Sequence, residues 1–418
     1  MIRRAFIAAA LAGLALLAPP PARARDADDP GPQVRADLVS IIEATYLYPV
    51  KVDGTSMETI FGGLDPMTTY WTPAEVNSLQ DTDPSAGLGL GLMNAPDGPR
   101  ISTVFEGGPA ARGGVLPGDA LVAIDGQPVG GLPIPIIGRR LRGADASPVT
   151  LTLKQDGATR DIALVRAREP DGAEVSARRI GDFAYLRVAR LEGGTPDRIV
   201  SALAALSRQE PGLKGLVLDL RDNTGGLVDA AVNIADLFLT EGPIIAVRGR
   251  DARKLERYEA HDRQAQMGRG YGLPLIVLVN ARTAAGAEIV AGALQDRGRA
   301  RLVGMPTFGN GLIQTMIPLG GYRYGAVRIT TAAWYLPSGR SVQKLGLMPD
   351  LMVAASPRDL LPQPRAADMP GALDAPPLKK GAKVPPPAAA GPPKLPPPGY
   401  DTQSGDFQLD EALRLLGG

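Results

Sequence analysis

The sequence predicts an α/β core, made of a mixed sheet with helices, together with a small β-rich domain and an N-terminal helical segment. Three observations lead to this prediction. The chain has 418 residues, 44% of them hydrophobic, which is enough for two or three domains. After a helical start, short β-type runs are separated by Gly and Pro. Continuous apolar strands then alternate with helices, as in a sheet covered on both faces.

The first 24 residues have the pattern of a secretory signal peptide. Arg3 and Arg4 precede an apolar run over about 5–17, and 22–24 form a small-x-small cleavage site. This run is shorter than the roughly 20 residues that a transmembrane helix needs, so cleavage is favoured over a retained anchor. We therefore predict a signal peptide at 1–24 and an exported, periplasmic mature protein without a transmembrane segment.

The segment 25–80 is predicted to be helical, and the domain 85–168 to be mainly β. Apolar residues between 38 and 46 share one helix face, and Leu64-Asp65-Pro66 interrupts the helical pattern. The second domain has one predicted helix, over about 135–141. Its β-type runs lie at 87–92, 101–105, 119–125, 148–154 and 161–165.

The α/β core is predicted at 176–355. Strands are expected at 183–189, 215–220, 274–280 and 301–304, and helices at 196–208, 227–239 and 284–296. Residues 356–405 are rich in proline and are expected to be a linker that cannot form a packed core. The amphipathic segment 406–418 is expected to dock back as a C-terminal helix.

Composition excludes several classes of function. There are 45 Lys plus Arg against 44 Asp plus Glu, so the chain lacks the basic excess typical of nucleic-acid binding. Without cysteine it has no disulfide, thiol nucleophile or Cys-ligated metal, and His261 is the only histidine. We therefore expect no metal, no cofactor and no nucleic-acid partner.

Three junctions at strand ends are candidate sites. LDLRDNTGG ends in Gly225 and Gly226, where backbone N–H groups can approach a ligand oxygen, as an oxyanion hole requires. LVNARTAAGAEIVAGAL starts a helix near Ala284, directly after a strand, and Thr283 is the only hydroxyl in its turn. TFGNGLIQT, at 307–315, is a glycine-marked loop that enters another strand. Taken alone, each junction is also explained as an ordinary turn or loop.

These junctions belong to segments that resemble the carboxyl-terminal processing proteases, also called tail-specific proteases. The segments, in chain order, are GLVLDLRDNTGGLVDAAVNIADLFL, EIVAGALQDRGRARLVG, TFGNGLIQT and YLPSGRSVQKLGLMPD. GGLDPMTTYWTPAE at 62–75 and the terminal DFQLDEALRLL are similar to the same family. The resemblance implies an exported serine peptidase fold in which a PDZ domain is inserted in the α/β protease core.

The resemblance implies that the β-rich domain is a PDZ domain. Its GLGLGL stretch would be the carboxylate-binding loop, and the strand after it would accept an extended peptide by β-augmentation. The implied peptide-binding residues are Gly87, Leu88, Gly89, Leu90, Gly91 and Leu92. A Gly-rich hairpin without a ligand is the alternative for this stretch.

The family's two reacting groups are missing at the positions that match them. The family uses a Ser nucleophile activated by a Lys. Its VNEGSASASEIVAGAL pattern aligns without gaps on VNARTAAGAEIVAGAL and puts Ala285 at the nucleophile position. Its TFGKGSVQT pattern aligns on TFGNGLIQT and puts Asn310 at the position of the Lys. Gln314 matches the Gln that assists the Lys, and Gly225 and Gly226 match the oxyanion turn.

Chemistry then predicts a pseudoprotease. A methyl group cannot attack a carbonyl, and a neutral amide cannot act as a lysine base does. Because Arg282, Thr283, Gly286 and Ala287 also differ from the family pattern, natural divergence explains the site better than a single engineered trap substitution. Arg282 is expected to fill or close the former site.

The leading hypothesis is an exported homologue that binds polypeptide C-termini or an envelope protein through its PDZ domain without cleaving them. The alternative is an active serine-type endopeptidase that processes the C-termini of periplasmic proteins with a relocated nucleophile. Thr283 is one candidate, and Ser341, in a Ser-x-x-Lys pattern with Lys344, is another. A third hypothesis is a structural subunit that forms a homo-oligomer, or pairs with an active relative or envelope proteins, through its N-terminal helical segment.

Overall fold

The computed structural model describes residues 29–80, 86–95, 98–105, 107–130, 132, 134–155, 157–168, 174–209, 212–251, 253–262, 272–363, 365–369, 371–378, 391–401 and 405–417. The predicted signal peptide lies outside these residues. The chain divides into two compact units. The first is drawn from Met1–Ala173, Ile313–Ala332 and Met369–Leu373, and the second from Glu174–Leu312, Ala333–Asp368 and Asp374–Gly418.

The elements of the first unit follow the predicted order of a helical start and a β-rich domain. Its helices are α1 (Pro32–Thr45), α2 (Met57–Gly62), α3 (Pro73–Gln80), α4 (Pro109–Arg112) and α5 (Ile134–Leu141). Its strands are β1 (Thr69–Trp71), β2 (Leu90–Ala95), β3 (Gly98–Val104), β4 (Ala120–Ile124), β5 (Gln127–Pro128), β6 (Pro148–Gln155) and β7 (Ala158–Val165).

The second unit holds the alternating strands and helices. They are β8 (Val175–Ile180), β9 (Phe183–Val188), α6 (Thr195–Ser207), β10 (Gly215–Asp219), α7 (Val228–Phe238), β11 (Pro243–Gly249), β12 (Leu255–Glu259), β13 (Leu275–Val279), α8 (Gly286–Asp296), β14 (Arg301–Gly304), β17 (Leu351–Met352) and α9 (Phe407–Gly417). Most of β15 (Leu312–Pro318) and of β16 (Ala326–Tyr335) belongs to the first unit.

The helical start contains a strand that the sequence analysis did not anticipate. α1 begins with a proline in its first turn and buries Val34, Leu38 and Ile42, as its apolar period predicts. β1 then pairs antiparallel with β16, with Thr69 opposite Arg328. The prediction of a purely helical pattern was wrong here, because three residues are too few to show a period of two.

The β-rich domain is an antiparallel sheet in the order β2-β3-β4-β6-β7, with β5 beside β4. Its core is formed by buried aliphatic side chains from the strands and from α5, which was predicted almost to the residue. Two predictions were wrong. α4 is an additional helix, too short for an apolar period to reveal. The strand expected at 87–92 begins only at Leu90, because Gly89 has a φ of 67° that no strand residue adopts.

The central sheet of the second unit has the order β17-β14-β13-β10-β9-β8. The strands β9, β10, β13, β14 and β17 run parallel to one another, and the edge strand β8 runs antiparallel to β9. Every residue of β10 and β13 is buried, as continuous apolar runs predict for strands covered on both faces. The predicted fold class, a mixed sheet with helices beside a small β-rich domain, is therefore confirmed.

The described part of the proline-rich stretch packs more closely than expected. Ala366 is only 4% exposed, and its N–H donates to the Phe308 carbonyl at 3.1 Å. Lys394 forms a parallel bridge with Val353, and its ammonium lies 2.6 Å from Glu411 on α9. The prediction of an unpacked linker was wrong for these residues, because backbone hydrogen bonds and an ion pair hold them in addition to the few apolar side chains that pack. No helix among the described residues is long and apolar enough to cross a membrane.

Candidate functional site

The position expected for a nucleophile lies in a sharp turn between β13 and α8. Ala285 is the N-cap residue of α8 and has φ of 50° and ψ of −115°, a conformation that residues other than glycine rarely adopt. Its side chain is a methyl group, and the residue is 6% exposed. A strained strand-to-helix turn is the backbone arrangement that presents the nucleophile in many hydrolases. The turn therefore keeps that shape without a group that can attack.

The glycine pair lies directly against this turn. A Cβ added to Gly225 would lie 3.0 Å from the Cβ of Ala285 and 2.8 Å from the backbone nitrogen of Gly286. A Cβ added to Gly226 would lie 2.0 Å from the Leu191 carbonyl oxygen. Both glycines have positive φ, of 98° and 149°. Only glycine therefore fits at either position, and the pair is in place beside Ala285 as the alignment implies.

Asn223 connects the glycine turn to the nucleophile turn. Its side-chain carbonyl accepts from the Gly225 N–H at 2.8 Å, and its amide donates to the Val188 carbonyl at 2.8 Å. Its backbone carbonyl accepts from the Ala284 N–H at 2.9 Å. Because Asn223 is fully buried, these bonds fix the two turns relative to each other.

Asn310, at the position expected for a base, lies in the loop between β14 and β15 and is 4% exposed. Its N–H donates to Oε2 of Glu288 at 2.8 Å, and the Ala285 N–H donates to the same oxygen at 2.9 Å. The sum of these distances, about 5.7 Å, is the most that can separate the two backbone nitrogens. The structure therefore brings the two positions together.

The side chain of Asn310 is only partly satisfied. Its Oδ1 accepts a long bond of 3.4 Å from the Leu312 N–H. Its Nδ2 is buried and has no hydrogen-bond partner among the described residues. An unpaired buried donor is unfavourable by about 1–3 kcal/mol, so this group is a feature that packing alone does not explain.

Glu288 is the residue that holds the site together, and the sequence analysis missed it. It is fully buried and accepts hydrogen bonds from the N–H groups of Ala285, Gly309 and Asn310 and from the Thr307 hydroxyl. Burial raises its pKa to about 7, although these four donors act in the opposite direction. The available signal was a Glu three residues after an N-cap position, which indicates a capping box rather than a site.

Arg282, which was expected to fill or close the former site, pairs with Asp222. Its guanidinium donates to Oδ1 of Asp222 at 2.6 Å, and the same oxygen accepts from the Asn280 amide at 2.7 Å. Burial alone would raise the pKa of Asp222, but the Arg282 and Arg187 guanidiniums hold it below its ordinary value. Since Asp222 precedes the glycine pair in the chain, Arg282 links the glycine turn to the nucleophile turn.

A second ion pair joins the same strand end to the C-terminal helix. Arg221 follows β10 and forms two bonds with Asp406, of 2.8 and 2.6 Å. It also donates to the fully buried Asp219, which accepts from the Tyr185 hydroxyl at 2.8 Å. Asp406 caps α9 by accepting from the Leu409 N–H at 3.1 Å. The docking of α9 is therefore tied to the strand end that carries the site.

Thr283, the first candidate for a relocated nucleophile, is fully buried. Its hydroxyl donates to the Leu220 carbonyl at 2.8 Å and accepts from the Asn280 N–H at 3.0 Å. The bond from Asn280 closes the turn between strand and helix, and the bond to Leu220 ties this turn to the end of β10. The hydroxyl therefore has a structural partner on each side and no exposed face toward a substrate.

Ser341, the second candidate, is 9% exposed and accepts from the Gln343 N–H at 3.1 Å. The lysine of its Ser-x-x-Lys pattern, Lys344, lies 3.0 Å from a carboxylate oxygen of Asp374. The Lys344 ammonium is engaged by this carboxylate rather than by the Ser341 hydroxyl. The pattern therefore does not form a nucleophile and base pair here.

The six residues of the predicted carboxylate loop occupy three different settings. Gly87 exchanges two backbone bonds with Ala167, and the Leu88 side chain is buried in the domain core. Gly89 forms the turn, and its carbonyl accepts from the Phe105 N–H at 2.8 Å. The remaining three, Leu90, Gly91 and Leu92, begin β2, which ends the order of its sheet. An edge strand of this kind is a template for β-augmentation.

Gln314 belongs to the first unit, whereas the other residues of the predicted catalytic set belong to the second. Its side-chain amide donates to the Thr330 hydroxyl at 3.3 Å.

Known proteins are similar to this chain over most of its length. The model of peptidase family S41 matches residues 182–353, and a PDZ-domain model matches residues 100–155. A carboxy-terminal-processing protease of Bartonella bacilliformis is 34% identical over 326 residues, which cover 77% of this chain and 73% of the relative. A carboxyl-terminal-processing protease of Synechocystis sp. is 34% identical over 311 residues, covering 72% and 70%. The solved structure of a photosystem II D1 C-terminal processing protease matches with a TM-score of 0.63 and 26% identity, covering 77% of this chain and 92% of that one.

Proposed function

The chain belongs to the family of carboxyl-terminal-processing proteases, and we propose that it is a member that binds polypeptide chains without cleaving them. The observation that carries the proposal is the pair Ala285 and Asn310. The strained turn, the glycine pair and the buried Glu288 surround these two residues as a catalytic centre would require. Neither residue supplies a nucleophile or a base.

The residual activity of such a centre is small. In serine peptidases, the oxyanion hole and substrate binding alone leave roughly 10³ to 10⁴ over the uncatalysed rate. That is far below the acceleration of at least about 10⁶ that enzymes typically reach. A protein with this centre therefore acts by holding a polypeptide, and cleavage requires groups that the centre lacks.

The PDZ domain is the proposed binding element. β2 is an edge strand, and the turn at Gly89 leads into it, so an extended peptide can add to the sheet with its terminal carboxylate near that turn. Leu90 and Leu92 pack on the domain core and are only partly buried, which favours a peptide with an apolar C-terminus. The proposed ligands are polypeptide C-termini with a free carboxylate, including those of envelope proteins.

The sequence pattern of residues 1–24 supports export, with the periplasm as the proposed location. Mass spectrometry of the protein recovered from the periplasmic fraction should give a mature chain that begins after residue 24. An intact N-terminus in the cytoplasmic fraction would contradict this part of the proposal.

A second candidate function is an active peptidase with a relocated nucleophile. The relatives named above are proteases, which favours activity. The contacts of Thr283 and Ser341 argue against it, because each hydroxyl is committed to a backbone partner. The remaining hypothesis of a structural subunit, self-associating or paired with an active relative, would use the N-terminal helical segment and is compatible with peptide binding.

The test is cleavage of a loosely folded protein that has an apolar C-terminus. Wild type, Ala285→Ser, Asn310→Lys and the double variant are compared, and we expect product only with the double variant. In parallel, a labelled peptide with a free apolar C-terminus should bind the wild type, and Gly89→Val should abolish this binding because Val disfavours a φ of 67°. Cleavage by the wild type that Thr283→Val or Ser341→Ala removes would establish the second candidate instead.

A further inference from the structure

A proline-containing segment of the second unit, residues 374–378, is extended and half-buried; we call it the resident segment. Residues 374–377 form no helix, strand or turn. Asp374 and Pro377 are exposed, whereas Pro376 between them is buried. Exposure that recurs after about three residues is the period of a polyproline II helix, the conformation that proline-rich segments adopt.

Four residues that contact the resident segment form what we call the proline site. They are Arg248, Tyr335, Gly339 and Lys344. Arg248 lies on β11 and Tyr335 ends β16, which are neighbours in one sheet, and the other two lie in the chain that follows β16. All four belong to the second unit, as the resident segment does.

The proline site binds the resident segment through its backbone carbonyl groups. The hydroxyl of Tyr335, which is only 1% exposed, donates to the Pro376 carbonyl. The Arg248 guanidinium donates to the Pro377 carbonyl. Proline has no N–H, so its carbonyl is the backbone group through which it can be recognised. Domains that bind proline-rich peptides also use aromatic side chains, and they benefit from the low conformational entropy of a preformed polyproline II helix.

Two further contacts distinguish the ends of the resident segment. The Lys344 ammonium lies 3.0 Å from a carboxylate oxygen of Asp374, before the prolines. A Cβ built on Gly339 would lie 3.6 Å from Cδ2 of Leu378, after the prolines. Because the Asp374 side chain is 83% exposed, its ion pair adds selectivity more than affinity. The site therefore fits the pattern Asp-x-Pro-Pro followed by an apolar residue.

The resident segment leaves one donor of the proline site unused. Arg248 Nε is buried and has no hydrogen-bond partner among the described residues. A buried donor without a partner is unfavourable, so a segment that also supplies an acceptor to this nitrogen would bind more tightly than the resident one.

We infer that the proline site is a binding site for a proline-rich segment of a partner protein, with the pattern Asp-x-Pro-Pro followed by an apolar residue, and that this segment displaces residues 374–378. A segment in the same chain has an effective concentration of about a millimolar, so a second copy, which offers the same segment from outside, competes poorly. A partner with a better-fitting segment does not have this disadvantage. The inference holds whether or not the former catalytic centre cleaves polypeptides.

The probe is a fluorescent peptide with the sequence of residues 372–380, ALDAPPLKK, blocked at both ends. Without a terminal carboxylate it is a poor ligand for the PDZ loop. Fluorescence anisotropy compares full-length wild type with Pro376→Gly/Pro377→Gly, in which the resident segment loses its preformed conformation. We expect the peptide to bind this double variant about tenfold more tightly or better, because a filled site lowers the apparent affinity by its open fraction. The matched peptide ALDAGGLKK should bind neither protein.

Substitutions in the proline site are made in the double variant. Tyr335→Phe should weaken peptide binding about threefold to tenfold, as for the loss of one neutral hydrogen bond. The matched control is Tyr324→Phe, at an exposed tyrosine of the first unit, and it should leave binding unchanged. Arg248→Met removes the other carbonyl contact and should also weaken binding. Thermal unfolding of each variant shows whether it is folded.

Three outcomes would overturn the inference. The first is peptide binding that is absent or equally strong in the wild type and the Pro376→Gly/Pro377→Gly variant. The second is unchanged binding by both folded site variants, Tyr335→Phe and Arg248→Met. The third is a wild-type dimer, formed at rising protein concentration, that the double variant loses, since a second copy and not a partner protein would then supply the segment.

Discussion

Replacing Glu288 by Gln is expected to remove a pH dependence of stability that the buried carboxyl creates. Glu288 is fully buried, and its two oxygens accept four hydrogen bonds, three of which join α8 to the loop at 307–310. Burial raises its pKa from an ordinary value of 4.5 to about 7. The folded protein therefore keeps a proton on this group at pH values where the unfolded chain has released it.

The difference between the folded and unfolded pKa of Glu288 determines the sign and size of the change in stability with pH. A group whose pKa is raised by folding contributes stability that is complete below the unfolded pKa and is lost as the pH rises through the folded pKa. For Glu288 the free energy of unfolding should fall between pH 4.5 and about pH 7 and then level off. At 1.36 kcal/mol per pKa unit, the raised pKa corresponds to a total loss of about 3 kcal/mol.

In the Gln variant the free energy of unfolding should no longer fall over this pH range on account of residue 288, because an amide does not titrate. The variant should also be less stable by about 1–3 kcal/mol where Glu288 is ionised, since its NH₂ group would face N–H donors that the carboxylate accepts. Urea unfolding is measured for both proteins at several pH values, and the difference between them isolates this group from all other titrations. If both proteins lose stability in parallel as the pH rises, the pH dependence belongs to another group and the reasoning about Glu288 is wrong.

Three other substitutions test the packing around the centre. Gly226→Ala should lower the free energy of unfolding by about 3 kcal/mol or more, because the added Cβ would lie 2.0 Å from the Leu191 carbonyl oxygen. Urea unfolding measures this, and stability equal to that of the wild type would contradict it. Asp406→Asn should keep the cap of α9 but lose the ion pair with Arg221. The amide hydrogens of α9 should then exchange faster than in the wild type, and unchanged exchange would contradict this. Thr283→Val should cost about 1–3 kcal/mol in thermal or urea unfolding, because it removes the acceptor of the Asn280 N–H and one of the two donors to the Leu220 carbonyl. An unchanged stability would contradict this role of the hydroxyl.

The sequence predicts the layers of the fold well where a pattern is long and strong. β10 and β13 are continuous apolar runs, and both are buried throughout, as strands covered on two faces must be. β1 and α4 escaped prediction because three and four residues carry no measurable period. The packing of the proline-rich stretch escaped it for another reason, since the backbone bond of Ala366 to Phe308 leaves no trace in side-chain composition.

The centre shows the same division between local and non-local information. The resemblance identified Ala285 and Asn310 by alignment. In the structure, the backbone N–H groups of both residues donate to the same carboxylate oxygen of Glu288. Glu288 itself escaped prediction, because its partners lie about 20 residues away in a separate loop. The ion pair of Arg282 was not predicted for the same reason, since its partner Asp222 is 60 residues distant in the chain.

The shape of the centre does not depend on the two reacting side chains that are missing. A residue other than glycine at φ of 50° is unfavourable by about 1–3 kcal/mol and persists only where its surroundings fix it. Here Glu288 accepts a hydrogen bond from the Ala285 N–H. Gly225 has no side chain and therefore leaves the space that the turn occupies, which a larger residue would fill. Neither contact needs a hydroxyl at position 285 or an ammonium at position 310. A serine returned to position 285 therefore enters a turn that is already formed, and a lysine returned to position 310 enters a loop whose backbone Glu288 already holds. The double variant tests the loss of the reacting groups separately from the loss of the scaffold.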